Sequence, residues 1–414
     1  MRDLLRRPLA AIGVVTMAAA VATGCGKGSE DESGGASGGK LKLGAALSLT
    51  GSLAKEGALT KQGYQICQEK VNARGGVKVG DKKLKLAIAY SDDKSEPDTA
   101  ARLIDNFNDG GTKLILGPYG SPSTEAAAAA IERNGQVMAD SSGADDNIFT
   151  KGYKNTFAVL SPATTYVATI VKAINDGAGG QKPKTVAMLS ADDGFSQTAA
   201  KGGVAEAKKA GMQVVAQESF PEKTTDVSSS LTKVKGKNPD LILGSVHVEE
   251  GIAIVKQAKE LGVKPKGGFG ETVAPPTPDF EKALGASADG VVGSTQWTAA
   301  VKGNDEIFGS AKDYAADFEQ RFGDKAEYHS AEGAAACLAV VLAVEKAGST
   351  DPTKVRDAMA GLDTPSFFGP IKFNDRGQNV SKPMSAIQIQ NGEVVTVYPK
   401  DQEQKPLQWP GTGQ

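Results

Sequence analysis

The chain has 414 residues, with 47 Lys and Arg against 49 Asp and Glu, a formal net charge of −2. Mixed charge with no basic stripe argues against a nucleic-acid partner. The length suits two domains, and 50 Gly beside 6% aromatics suit helices packed closely on sheets.

At the N-terminus Arg2, Arg6 and Arg7 precede an apolar stretch from Leu9 to Ala22, and Ala22-Thr23-Gly24 leads into Cys25. A basic start, a short apolar run and small residues before a cut mark an export signal over 1–24. The apolar run is short for a membrane span. A cysteine directly after small residues resembles the lipobox of bacterial lipoproteins, although Ala22 stands where leucine is usual. That implies a diacylated Cys25, stable membrane anchoring, and an extracytoplasmic protein held on the outer face of the cell membrane. Loss of 1–24 removes Arg2, Arg6, Arg7 and Asp3, so the charge falls from −2 to −4. Residues 25–40, rich in Gly, Ser and acids, read as a flexible tether reaching roughly 20 Å.

Beyond the tether, strands and helices alternate. Lys42–Ser48 reads as a strand, Leu53–Arg74 as a helix, Leu84–Tyr90 as a strand and Asp98–Asn108 as a helix. Strand Lys113–Leu116, helix Ser123–Arg133 and strand Gln136–Ala139 follow. A second round runs through helix Thr164–Ile174, strand Thr185–Leu189, helix Gln197–Ala210 and strand Gln213–Ser219. It continues with strand Asp240–Gly244, helix Glu250–Leu261 and strand Lys266–Phe269. Such alternation predicts an α/β protein with parallel sheets covered by helices on both faces. Asp305–Phe322 and Ala331–Glu345 read as long helices. Phe367–Phe373, Met384–Gln390 and Val394–Tyr398 read as closing strands, the last two joined by an Asn391-Gly392 hairpin turn.

Cys67 and Cys337 lie in apolar helical contexts; in an exported protein they either pair or serve as small buried hydrophobes. Residues suited to catalysis are sparse. His247 and His329 lack metal-spaced partners, and no G-x-S-x-G elbow occurs. Gly268-Phe269-Gly270 lacks the third glycine of a dinucleotide loop. Asp92-Asp93 and Asp192-Asp193 fit strand ends that cap the next helix. No cofactor or metal is expected.

Strand ends facing a cleft are where α/β sheets bind ligands. Four junctions stand out. In Gly117–Glu125, which includes Tyr119, Ser121 suits an N-cap and Pro122 the first helical position; that helix start suits a carboxylate. Asp140–Asp145 offers small residues and accessible backbone N–H groups. Asp193-Gly194-Phe195 and Gly270-Glu271-Thr272 are the others; Glu271 is either an ammonium ligand or a solvated acid.

Residues 41–398 resemble the Leu/Ile/Val-binding family of ABC-importer substrate-binding proteins, which have the type I periplasmic-binding-protein fold. The matching stretches are Leu47–Ser52, Asn72–Val77, Leu116–Ser121, Ser190–Phe195 and Phe368–Phe373. The resemblance implies two doubly wound parallel-sheet lobes joined by three crossings near Leu160, Val291 and Thr364, with a ligand cleft between them. The first lobe then comprises 41–160 and 291–364, the second 161–290 and 365–414. It implies a monomer that captures an amino acid, amide or related compound without covalent chemistry and docks on a permease. The alternatives are a ligand sensor of the same fold, or a binder of small amides, urea or polyamines rather than branched-chain amino acids. By family pattern Ser121 and the backbone of Ser142, Gly143 and Ala144 hold an α-carboxylate, Glu271 takes the α-ammonium, and Phe195 is an aromatic contact. Tyr119 and His247 complete the candidate site. Two departures stand out: Ala144 where threonine is frequent, and Glu56 where an aromatic is common. Glu56 either points to water or meets a polar or cationic ligand group.

Overall fold

A computed structural model describes residues 36–411 apart from residue 38. The expected signal segment, Cys25 and most of the expected tether lie outside the described residues. The first sheet contains β1 (Ala36–Ser37), β2 (Lys40–Leu47), β3 (Val77–Val79), β4 (Lys82–Asp92), β5 (Leu114–Leu116), β6 (Val137–Asp140) and β7 (Thr156–Ala158). Its order is β3-β4-β2-β5-β6-β7, with β1 on β2. The expected tether therefore ends early: β1 pairs with the start of β2, and Lys40 is already in the sheet. The β2–β4, β2–β5, β5–β6 and β6–β7 pairings are parallel. Fully buried runs such as Leu114-Ile115-Leu116 are what a sheet covered on both faces requires. Its connecting helices are α1 (Ala54–Ala73), α2 (Pro97–Asp109) and α3 (Ser121–Asn134).

The second lobe runs through α4 (Tyr166–Gly177), β8 (Thr185–Ala191), α5 (Gly194–Lys209), β9 (Gln213–Phe220), α6 (Ser228–Lys235) and β10 (Leu241–Ser245). It continues with α7 (Val248–Leu261), β11 (Phe269–Glu271), α8 (Pro278–Leu284) and β12 (Val292–Thr295). The chain then returns to the first lobe with β13 (Asn304–Asp305), β14 (Gly309–Ser310), α9 (Ala311–Phe322), α10 (Tyr328–Ala347) and α11 (Pro352–Ala360). β15 (Asp363–Thr364) and β16 (Ile371–Lys372) form a small pair, and β17 (Ser385–Gln390) and β18 (Glu393–Tyr398) complete the second sheet. That sheet is ordered β18-β17-β12-β11-β10-β8-β9. The β17–β18 turn places Asn391 and Gly392 at φ 55° and 73°, the left-handed pair that Asn-Gly supplies.

Helices α1 and α10 pack tightly and are joined by a disulfide between Cys67 and Cys337, which settles the open pairing question. A Cβ on Gly63 would sit 2.0 Å from the Ser330 carbonyl oxygen, so glycine permits this close approach. Helix α9 starts later than expected, because residues 304–310 turn back as β13 and β14. Capping by Ser310 and Asp313 then fixes the start at Ala311.

Two crossings fall later than the sequence suggested. β12 is a parallel neighbour of β11, pairing Gly270 with Val292, so the second lobe extends through Thr295 rather than ending near Val291. Phe367 is fully buried and stacks on Tyr314 of α9 at 4.4 Å between centroids, while Gln378 bridges to Ala158 of β7. The chain therefore stays with the first lobe past Thr364 and crosses between Gln378 and Ser385. Neither shift carries a composition signal.

The crossings are bonded to one another. The Ser161 N–H donates to Gln296 Oε1 at 3.0 Å, and Gln296 Nε2 donates to the Ser161 carbonyl at 3.1 Å and to Tyr166 Oη at 2.9 Å. Ser161 Oγ donates to the Lys382 carbonyl at 2.9 Å, and Lys382 Nζ donates to the Gln296 carbonyl. Each crossing contributes one residue, and Ser161, Gln296 and Lys382 are all buried.

Candidate functional site

In the first sheet β2 lies between β4 and β5; in the second β8 lies between β9 and β10. Strand order reverses at these points, so loops leaving neighbouring strand ends diverge and leave a crevice. The loops beyond β5 and β6 supply the first-lobe wall, and those beyond β8 and β10 supply the wall opposite.

Gly120, at φ 86°, is the N-cap of α3, which displaces Ser121 from the capping position expected for it. Ser121 Oγ instead accepts from the Asp145 N–H at 3.1 Å, leaving its own proton to donate beside the positive end of the helix. Ser142 Oγ donates to the Pro118 carbonyl at 2.8 Å and accepts from the Gly120 N–H at 3.2 Å, tying the two loops together. The backbone of 142–144 is not an open cradle. Ser142 and Gly143 donate their N–H groups to Asp140 Oδ1 at 3.1 and 2.9 Å, and the Ala144 N–H turns back to the Ser142 carbonyl at 3.0 Å. Asp140 is fully buried; burial raises its carboxyl to about 6 against the pull of the Gly143 and Ser142 amides.

Across the cleft, Asp193 caps α5 through the Ser196 N–H at 3.0 Å and lies 3.6 Å from His247 Nε2. His247 occupies the N-cap position of α7, and its Nδ1 is buried without a partner. Burial depresses the imidazole, but the Asp193 charge and hydrogen bond, with the Glu250 and Glu56 charges, together outweigh it and hold His247 at about 9. Burial likewise opposes ionisation of Asp193, yet His247 brings it down to about 2. The pair is therefore ionic at neutral pH. Phe195 places its ring 5.4 Å from that of His247 and 5.0 Å, edge-on, from Tyr166.

Tyr119, Ser121, Ser142, Phe195 and His247 meet around a small cavity of about 10 Å³, the room of one water. Tyr166, Val273, Tyr328 and Glu332 complete its wall and were not singled out from sequence. Glu332 carried a readable signal, as the lone acid directly before the apolar run Gly333–Leu338. Tyr166 and Tyr328 carried none, since only packing turns those helix starts inward.

The two acids named from sequence sit elsewhere. Glu271 is fully buried with neither carboxyl oxygen hydrogen-bonded, and burial pushes its pKa well up. Its side chain faces α7: a Cβ on Gly251 would lie 2.6 Å from Glu271 Oε2. It does not line the cavity; Val273, two residues on, does. Glu56 does not point to water. It is 1% exposed, accepts from the Val248 N–H at 3.4 Å across the cleft, and is pushed up by burial against the charges of His247 and His329.

A wider cavity of about 310 Å³ opens at the mouth and shares His247 with the inner one. Here the lobes are bridged by Lys55 to Glu249 at 2.7 Å and by Lys223 to Glu96 at 3.8 Å. An inner cavity of this size, with ion pairs across its mouth, is a closed cleft. Admission of a solute requires the lobes to part. Among the described residues no group of three or more His, Cys, Asp or Glu is placed to hold a metal.

A periplasmic binding protein family model matches residues 40–393. A Leu/Ile/Val-binding protein homolog 8 from Brucella abortus is 27% identical over 376 residues, covering 87% of this chain and 91% of that protein. Among solved structures, the branched-chain amino acid transporter substrate-binding protein LivJ of Streptococcus pneumoniae, in complex with isoleucine, has TM-score 0.74 at 23% identity. It covers 86% of this chain and 97% of its own. A solute-binding protein of an ABC transporter from R. palustris, in complex with benzoate, has TM-score 0.72 at 18% identity, covering 87% and 96%. Two parallel-sheet lobes, three bonded crossings and a closed cleft at both switch points fit that match along its whole length: the chain belongs to the periplasmic binding protein family.

Proposed function

We propose that this protein captures a small zwitterion, an amino acid or a close relative, in the interlobe cleft and delivers it to an ABC permease. The observation that carries this reading is the polarity of the inner cavity. Its lining includes the α3 N-terminus, Ser121, Ser142 and the cationic His247, a setting suited to a carboxylate. The same lining includes Glu332 and the rings of Tyr119, Tyr166 and Tyr328. The Gly143 and Ala144 amides, already bonded within their loop, hold that wall rigid rather than contacting the solute. Closure makes selectivity depend on contacts that exist only when the lobes meet.

The site of action is outside the cytoplasmic membrane, with Cys25 as lipid anchor and 1–24 as the signal. The basic, apolar and small-residue pattern before Cys25 supports this. Mass spectrometry of membrane-extracted protein should find Cys25 as the acylated first residue; an unprocessed or unlipidated N-terminus would refute the anchor.

Capture itself is tested by a thermal-shift screen on protein unfolded and refolded to strip carried-over solute. A ligand at a hundred times its Kd adds about 2.7 kcal/mol. A shift with amino acids and none with sugars or nucleosides is the expected result.

A further inference from the structure

We infer that Glu332 of α10 takes the cationic nitrogen of the ligand, inside a box formed by Tyr119, Tyr166, Phe195 and Tyr328. This rests on reading the inner cavity as the capture site, and it replaces Glu271 as the ammonium partner. Glu332 lines the cavity, is 1% exposed, and its Oε2 is buried without a hydrogen-bond partner. A buried carboxyl left unpartnered is costly, and an entering ammonium removes that cost. Its neighbours do not supply the missing charge. Lys382 is committed to the carbonyls of Gln296 and Pro383 and lies over the Phe368 ring at 4.2 Å. Burial pushes the Glu332 carboxyl well up, Glu327 and Asp140 push the same way, and Lys382 only partly opposes them. Its surroundings thus favour the neutral form, and an entering cation favours ionisation.

The rings point to the same class. Tyr166 and Phe195 meet edge-to-face at 5.0 Å, and Tyr119 and Tyr328 line the same cavity, packed against His329 at 5.4 and 3.9 Å. Aromatic faces attract a cation within about 6 Å of their centroids, most strongly when water is excluded. Glu271, turned toward Gly251, does not line this cavity.

The test is calorimetric titration of refolded wild type and Glu332→Gln with leucine, lysine, choline, and the amine-free isocaproate and benzoate. Glutamine keeps the shape of the neutral acid, so the variant folds. The inference expects wild type to bind one or more of the nitrogen cations and to ignore isocaproate and benzoate. Glu332→Gln should weaken cation binding at least about 30-fold, the loss that follows removal of one member of a buried charge pair. Glu271→Gln should bind within about 3-fold of wild type. Equal affinity in wild type and Glu332→Gln, or isocaproate bound as tightly as leucine, would overturn the Glu332 assignment and leave capture standing. Failure of all five compounds to bind wild type would bring down capture of small amines, and this inference with it.

Discussion

The hinge and the mouth of the cleft are both polar, and they are built on opposite terms. At the hinge, Ser161, Gln296 and Lys382 are buried, and each is bonded to the other two crossings. At the mouth, Lys55 and Glu249 keep side-chain exposures of 41% and 40%. A buried amide that loses a partner pays its full desolvation penalty, whereas an exposed ion pair exchanges its partner for water at little cost. Opening that breaks the exposed mouth pairs costs less than opening that breaks the buried crossings, so the crossings are the expected pivot.

The largest expected effect comes from breaking the hinge. Gln296→Ala removes the acceptor of the Ser161 N–H and the donor to Tyr166 Oη, both buried. It should cost about 3 kcal/mol of stability, read by urea unfolding. A loss under about 1 kcal/mol would mean that the hinge tolerates rearrangement and the contrast is weaker than drawn.

Next comes the Asp193–His247 pair in the second-lobe wall. His247 is raised in the folded state, so its contribution is full below its unfolded value of about 6.5 and is lost as pH rises through about 9. Asp193 is depressed, so its contribution holds above its unfolded value of about 3.9 and is lost as pH falls through about 2. Stability from the pair should therefore be level between those unfolded values and fall on either side. In Asp193→Asn, burial acts on His247 unopposed by that charge, and its titration should move below neutrality. With only His247 and His329 in the chain, imidazole NMR resonances resolve the change directly. An unmoved His247 would deny the pairing.

The smallest effect is at the mouth. Lys55→Ala should change stability by less than about 1 kcal/mol and reduce ligand affinity by no more than about 5-fold, an effect that fades in high salt. A loss as large as that of Gln296→Ala would reverse the comparison.

How much of this was legible in the sequence depended on how local the signal was. Strand–helix alternation gave both lobes, because Leu114–Leu116 and its like are apolar by necessity. Asn391-Gly392 gave its hairpin for the same reason of local chemistry. The later crossings escaped, since β12 differs from a linker only by the strands beside it, and Phe367 read as the start of a strand until its ring met Tyr314. Short elements such as β3, β7, α8 and α11 went unread. Within the site, Ser121, Ser142, Phe195 and His247 were marked by their junctions. Glu271 was misplaced because a sequence position at a strand end does not say which face its side chain takes. Tyr166 and Tyr328 required tertiary structure, coming from helix starts that share no segment with the marked loops, whereas Glu332 was readable as a lone acid at the head of an apolar run.

Small-angle X-ray scattering of refolded wild type, with and without a saturating ligand from the thermal-shift screen, tests the capture motion most directly. The account predicts a broader particle without ligand and a smaller radius of gyration once the lobes close on it. Identical scattering in both states, with ligand demonstrably bound, would contradict a cleft that opens about the Ser161–Gln296–Lys382 hinge.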